Sequence, residues 1–233
     1  MNTLIQNGPF LSDEACDGIA STALNLPIAE GKRPLIGHPY YVYNPCKTPR
    51  DPQEVQAHNH LMRSAFSVLI DKTVDYFQGL LGEEVYVDDR ISLPGFHRFN
   101  VHPHHTWRRS FHVDTEKTYI AQEFPDLGVD LEVPQTTFTV LLNSHPEVSA
   151  GLSYFERPSA VTAKIFIARA SGIEIDEALS SHANLHLYGK GEINVHREII
   201  HSIYCKNESD QFFARLTFQG NLAHTQKGWL LFW

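Results

Sequence analysis

The run Phe111-His112-Val113-Asp114 places an imidazole and a carboxylate two positions apart. In extended backbone successive side chains point to opposite faces, so His112 and Asp114 share a face and can reach one ion together. A third donor must come from elsewhere in the chain. His201 is the strongest candidate because it stands in the apolar run Ile199-Ile200-His201-Ser202-Ile203, where a buried imidazole needs a partner. His196, five positions earlier, competes for that place, although the more polar Val195-His196-Arg197-Glu198 sets it at the entrance of the strand, and His102, His104 and His105 offer further imidazoles. Downstream, Phe212-Phe213-Ala214-Arg215-Leu216-Thr217-Phe218-Gln219 sets Arg215, Thr217 and Gln219 on one face of a strand. An inward arginine is costly unless an anion meets it. This strand therefore predicts a carboxylate, from protein or ligand, beside the metal site. Taken alone, each of these signals also arises in ordinary cores; their order and strand context carry the reading.

His112-x-Asp114, then His201 after 86 intervening residues, then Arg215 with Thr217 two positions on, resembles the iron(II)- and 2-oxoglutarate-dependent dioxygenase superfamily. Gly191-Glu192-Ile193-Asn194-Val195 and Gly151-Leu152-Ser153-Tyr154-Phe155 are similar to glycine-led strands of that superfamily, and the likeness spans roughly residues 95–220. The resemblance implies Fe(II) held by His112, Asp114 and His201 as a facial triad with three open positions. It further implies 2-oxoglutarate and dioxygen in those positions, with Arg215 forking onto the far carboxylate of the co-substrate and Thr217 donating a hydroxyl. Decarboxylation to succinate would then drive oxidation of a second substrate. Related halogenases carry a small residue at the carboxylate position, so Asp114 points to hydroxylation, desaturation or ring formation. In that superfamily the strands of His201 and Arg215 lie in opposite sheets. Simple pairing about the turn at Glu208 would instead set His201 opposite Arg215, with Cβ atoms ~5 Å apart.

These residues need a rigid frame, and the pattern of the chain supplies one. Ser12 with Asp13 and Glu14 opens a helix over 12–24. Apolar residues at three- and four-residue steps, from Met62 through Phe66, Leu69 and Phe77 to Leu81, predict a second over 54–80. Six prolines fall between residues 27 and 52 around one short strand, Tyr40–Tyr43. Beyond Gly82 the period becomes alternating, with strands expected at 84–87, 97–101, 109–113, 136–142, 152–155, 164–168, 184–187, 192–195, 199–205, 212–219 and 229–232. The expected fold is α+β: a double-stranded β-helix, or jelly-roll, with N-terminal helices packed on one sheet. One domain is expected over 1–233, with 1–82 as mainly helical support and 83–233 as the β core.

Composition narrows the partners. The net charge is −8 and no lysine or arginine run is sustained, which argues against nucleic acid, whose binding rests on phosphate neutralisation. No apolar stretch reaches membrane-spanning length, and no secretory leader is evident. Cys16, Cys46 and Cys205 form no metal-binding pair, so a cytoplasmic location and buried thiols are expected. Five of the 14 histidines lie within the sixteen residues from His97 to His112, together with Arg98, Arg108 and Arg109 and no acid. Leading into the metal strand, Arg98, Arg108 and Arg109 would place a positive field at the mouth of the site and favour an anionic substrate, with a free amino acid or derivative first. The same charges could instead balance nearby acids such as Asp88, Asp89, Glu116 and Glu123. Other functions fit fewer of these features: an oxygenase acting on a protein side chain, a cupin-like hydrolase or isomerase with no use for Arg215, or a jelly-roll binding module.

Overall fold

The computed structural model describes residues 5–26, 35–36, 51–108, 111–155, 183–197 and 199–233. The elements run β1 (Ile5–Pro9), α1 (Asp13–Leu24), β2 (Leu35–Ile36), α2 (Pro52–Leu81), β3 (Val85–Tyr86), β4 (Gly95–Val101), β5 (Thr106–Arg108) and α3 (Glu116–Glu123). After a 3-10 turn at Pro125–Leu127 come β6 (Thr136–Leu141), β7 (Val148–Phe155), β8 (Asn184–Leu187), β9 (Glu192–Arg197), β10 (Ile200–Asn207), β11 (Phe213–Thr225) and β12 (Gly228–Phe232). The expected strands at 40–43 and 164–168 lie outside the described residues.

Both long helices begin and end for local reasons. The Ser12 hydroxyl accepts from the Ala15 amide to start α1. For α2, Asp51 accepts from the Gln53 amide ahead of Pro52, a residue suited to the first helical turn. Gly82 closes α2 in the left-handed region (φ 73°) and donates its amide to Gln78, an end that glycine makes without a Cβ clash. Phe66, at φ −137° and ψ 25°, interrupts the helical run of α2. No helix among the described residues is long and apolar enough to cross a membrane.

The strands divide between two sheets. The larger runs β1-β9-β6-β11-β12-β3, with β4 also on β11 and β2 on β4; the smaller runs β5-β10-β7-β8. Along the chain the strands change sheet repeatedly, from β4 to β5, β5 to β6, β6 to β7, β8 to β9, β9 to β10 and β10 to β11. Consecutive strands β10 and β11 thus belong to different sheets, so the simple hairpin about Glu208 does not form. Instead β10 pairs β5 and β7, while β11 pairs β4, β6 and β12. Of the expected strand at 109–113, residues 109–110 lie outside the described residues; the described remainder holds the antiparallel bridge of His112 with His201, and β5 pairs β10 ahead of it.

Alternation assigns the two faces of the large sheet opposite characters. Phe96, Phe138, Val140, Ile193, Val195, Leu216 and Phe218 join Cys16, Ala20, Met62, Phe66, Leu69 and Phe77 of α1 and α2 in one apolar cluster. Ring pairs bind it together: Phe66 with Phe96 at 4.7 Å and Phe77 with Phe138 at 5.1 Å. The intervening residues, among them His97, Thr139, Asn194, His196, Arg215 and Asn221, are also buried, yet polar. Gly191 (φ 75°) draws α1 onto β9: its carbonyl receives the amides of Phe10 and Leu11, and an added Cβ would lie 2.4 Å from the Leu11 carbonyl oxygen.

If the helix-facing side is the main store of apolar stability, Phe77→Ala should lower the unfolding free energy by ~3–5 kcal/mol. Urea denaturation followed by circular dichroism measures this. A loss below ~1 kcal/mol would show that the packing does not depend on that ring.

Candidate metal centre and its cavity

His112 and His201 face each other across the one bridge that continues the small sheet. Each backbone amide donates to the other's carbonyl, at 2.8 and 2.9 Å, and their rings lie 4.4 Å apart. The chain leaving His112 brings Asp114 between them: its Oδ1 is 3.5 Å from His112 Nε2 and its Oδ2 is 3.6 Å from His201 Nε2. One ligand atom from each of these residues lies within 4.8 Å of the others. Side-chain exposure falls from 26% at His112 through 13% at Asp114 to 4% at His201, so the group opens to one side only. A carbonyl can only accept, so the 3.0 Å contact of His201 Nδ1 with the Ile199 oxygen places the proton on Nδ1. Nε2 is then left as a lone-pair donor turned toward Asp114, the arrangement that metal-bound histidines use.

Burial would raise the Asp114 pKa, but His201, His196, His112 and the Thr137 hydroxyl outweigh it and hold the carboxyl below its ordinary value. Thr137 Oγ lies 2.9 Å from Asp114 Oδ2 and 2.8 Å from Asn221 Oδ1, with one proton for both. Gln135 already serves Asn221 at 3.0 Å and Glu116 at 2.8 Å through its amide nitrogen. The charged acceptor therefore claims the Thr137 proton. Glu116 is a second buried acid on the cavity wall, raised to about 7 by burial and then by the charge of Asp114.

His196 is not at a polar strand entrance. It lies buried on the cavity side of β9, with Nε2 3.9 Å from Asp114 Oδ2 and its ring 4.5 Å from His201. Burial, then His201, depress its pKa to about 3, so it stands neutral. Its polarity did not signal exposure because its neighbours on this face, Thr139, Asn194 and Arg215, are polar and buried too. His102, His104 and His105 are exposed in the β4–β5 turn, where His104 meets Asp210, and do not join the group.

Arg215 projects from β11 into the same cavity at 1% exposure. Its Nη1 donates to the Tyr204 carbonyl at 3.3 Å and its guanidinium lies 4.5 Å from the Phe99 ring centre. Nε and Nη2 are buried without a hydrogen-bond partner, and desolvation lowers the pKa of the group. Tyr188 lines the cavity as well, its hydroxyl pushed up to about 12 chiefly by burial. Thr217 is buried one alternation further along β11, accepts from Gln219 at 2.9 Å, and is not among the cavity-lining residues.

The cavity has a volume of about 230 Å³, below the roughly 300–1,000 Å³ common for ligand pockets, and so suits small molecules. Of the three arginines expected at the mouth, only Arg98 has a described side chain. His97 faces inward, so its neighbour Arg98 takes the other face of β4 and does not line the cavity. The Arg108 backbone lies in β5, and Arg109 lies outside the described residues. Three of the four acids named as possible partners are engaged elsewhere: Asp88 with Arg90, Asp89 with Arg63, and Glu116 with Gln135. Sequence reasoning missed Glu116, Gln135, Thr137, Asn221, Tyr188 and Trp233, which carry no motif and meet only when the strands are assembled.

No family model and no curated protein matches the sequence. Among solved structures, the chain is similar to an N-substituted L-amino acid dioxygenase from Burkholderia ambifaria AMMD in complex with alpha-KG. The two share 13% identity and a TM-score of 0.51, over 98% of this chain and 85% of that one. A second structure of that enzyme gives the same score over 99% and 86%. HygX from Streptomyces hygroscopicus with iron bound matches at 9% identity and a TM-score of 0.48, over 94% and 82%. The likeness to the Burkholderia enzyme establishes a shared fold.

The Thr137 contact predicts its own effect. Thr137→Val keeps the branched shape but removes the donor to Asp114, and metal affinity should fall ~10–100-fold. Competition for Fe(II) against a coloured chelator under nitrogen measures it; unchanged affinity would show that Asp114 is positioned without the hydroxyl.

Proposed function

We propose that this protein is a non-haem iron(II)- and 2-oxoglutarate-dependent oxygenase that hydroxylates a small molecule. The observation that carries the reading is the convergence, in one cavity, of the His112, Asp114 and His201 donors with a buried, under-bonded arginine. Two imidazoles and a carboxylate suit iron with open positions. The unpaired Nε and Nη2 of Arg215 suit a carboxylate, because burial without an anion is costly for a guanidinium. A metal-dependent hydrolase or isomerase has no use for that second site. The sheet order, with strands exchanging between two antiparallel sheets and helices α1 and α2 on the large one, supports a double-stranded β-helix. Residues 1–82 would then act as helical support and 83–233 as the site-bearing core of one domain.

In this reading His112, Asp114 and His201 hold Fe(II), and Arg215 takes the far carboxylate of 2-oxoglutarate. When bound, the iron and 2-oxoglutarate supply an oxidant from dioxygen, with succinate and carbon dioxide as the co-products. The chain supplies the rest. The Ile199 carbonyl fixes the His201 ring by holding its Nδ1 proton, and Thr137 steadies one oxygen of Asp114 so that the other stays available. Arg215 gains direction from the Phe99 face and the Tyr204 carbonyl, which leave its other nitrogens turned to the co-substrate. Tyr188, whose hydroxyl stays protonated at neutral pH, can donate beside it. Thr217 is a weaker candidate for that hydroxyl role, because it is not among the residues lining the cavity. For the prime substrate, a free amino acid or derivative fits a small polar cavity. An anionic preference would have to rest on Arg108 and Arg109, since Arg98 faces away.

Mixing the protein with Fe(II) and 2-oxoglutarate under nitrogen should give a visible metal-to-ligand charge-transfer band. His201→Ala should abolish it while His196→Ala keeps it. Arg215→Leu should raise the 2-oxoglutarate needed for half-saturation by ~10-fold or more, with Arg215→Lys only partly restoring it. A full band in His201→Ala, or unchanged 2-oxoglutarate affinity in Arg215→Leu, would show that the ligand or the anion site has been misassigned.

A further inference from the structure

β11 acts as a ruler along the cavity. Arg215, Gln219 and Asn221 all line it, and six residues of extended strand separate Arg215 from Asn221 by ~20 Å. The cavity thus has two ends, with the metal donors along its wall. Asn221 marks the end away from Arg215; Glu116 is joined to it through Gln135, and Trp233 follows Phe232, the β12 partner of Asn221, with its ring 5.4 Å from that of His97. Glu116 is a buried acid whose Oε2 accepts from Gln135 at 2.8 Å. The next residue's ammonium, that of Lys117, is drawn off to the carbonyls of Leu131 and Val133. Trp233 is 1% exposed, and its indole N–H is buried without a hydrogen-bond partner. A hydrocarbon substrate would leave the Trp233 donor unmet and bring no positive charge to the buried Glu116 carboxyl, whose neighbours are an amide and backbone N–H groups.

We propose that the end walled by Glu116, Asn221 and Trp233 binds the prime substrate, and that the Glu116 carboxylate receives the ammonium of a small amine, a free amino acid in the first instance, whose own acceptor oxygen takes the Trp233 N–H. The assignment rests on the oxygenase reading above. It accounts for a polar, acid-bearing wall far from the co-substrate carboxylate.

The test is isothermal titration calorimetry of the full chain with each of the twenty common L-amino acids, with and without Fe(II) and 2-oxoglutarate under nitrogen. Any ligand found is then repeated as its N-acetyl derivative, which removes the positive charge from the nitrogen. At least one amino acid should bind, N-acetylation should weaken it at least 10-fold, and Glu116→Gln should weaken the free amine by a similar factor. The N-acetyl comparison uses the unaltered protein and so does not depend on the variant folding. No binding by any amino acid, equal binding of the acetylated form, or undiminished binding by folded Glu116→Gln would each overturn the proposal. The charge-transfer band of the unaltered protein separates the two ideas. A band without amine selectivity removes the amine assignment alone, and amine selectivity without a band removes the oxygenase reading alone.

Discussion

The structure depends on keeping charged groups away from water at the centre of a small protein. Asp114, Glu116 and Arg215 are all buried, and none could stay there without compensation, because an isolated buried charge costs several kcal/mol even after relaxation. The arrangement of everything else follows from this. The space between the two sheets is given over to polar residues and cannot serve as the main apolar core. That core is displaced to the opposite face of the large sheet, where α1 and α2 cover Phe96, Phe138 and Phe218. The helices thus serve the site: they let β4, β6, β9 and β11 present polar side chains inward without losing their apolar burial on the other side.

Compensation inside the cavity is graded. Asp114 is surrounded by three imidazoles and a hydroxyl, and Glu116 shares the amide of Gln135 with Asn221. Arg215 has a ring face and a single carbonyl. The least compensated group is the one expected to meet a ligand carboxylate. Gln135 ties Glu116 to Asn221 at one end, and Thr137 serves Asp114 at the other.

Much of this was legible in the order of residues. The period of two correctly separated Arg215 from Leu216 and Phe218, and the switch from helical to alternating pattern at Gly82 falls where α2 ends. The His112–Asp114 juxtaposition was anticipated from strand alternation, although the backbone there makes only one bridge; extended chain is enough to keep the two side chains together. Where the reading failed, assembly in three dimensions was the cause. α3 escaped notice because Ile120 is its only buried apolar residue, beside buried Glu116 and Lys117. Arg98 was placed at the site by nearness in sequence, yet its neighbour His97 takes the inward position. His196 looked exposed because polar residues usually face water, and here they face a cavity. Partners such as Thr137 and Asn221, 84 positions apart, become neighbours only through the pairing of β6 with β11.

The central claim is that one metal ion sits among His112, Asp114 and His201 with a co-substrate carboxylate on Arg215. A crystal structure of the protein grown under nitrogen with Fe(II) and 2-oxoglutarate tests it most directly. The account predicts a single anomalous iron peak bonded to His112, Asp114 and His201 with His196 unbonded, and 2-oxoglutarate reaching from that iron to the Arg215 guanidinium. Iron bonded to His196 in place of His201, or a co-substrate carboxylate away from Arg215, would contradict it.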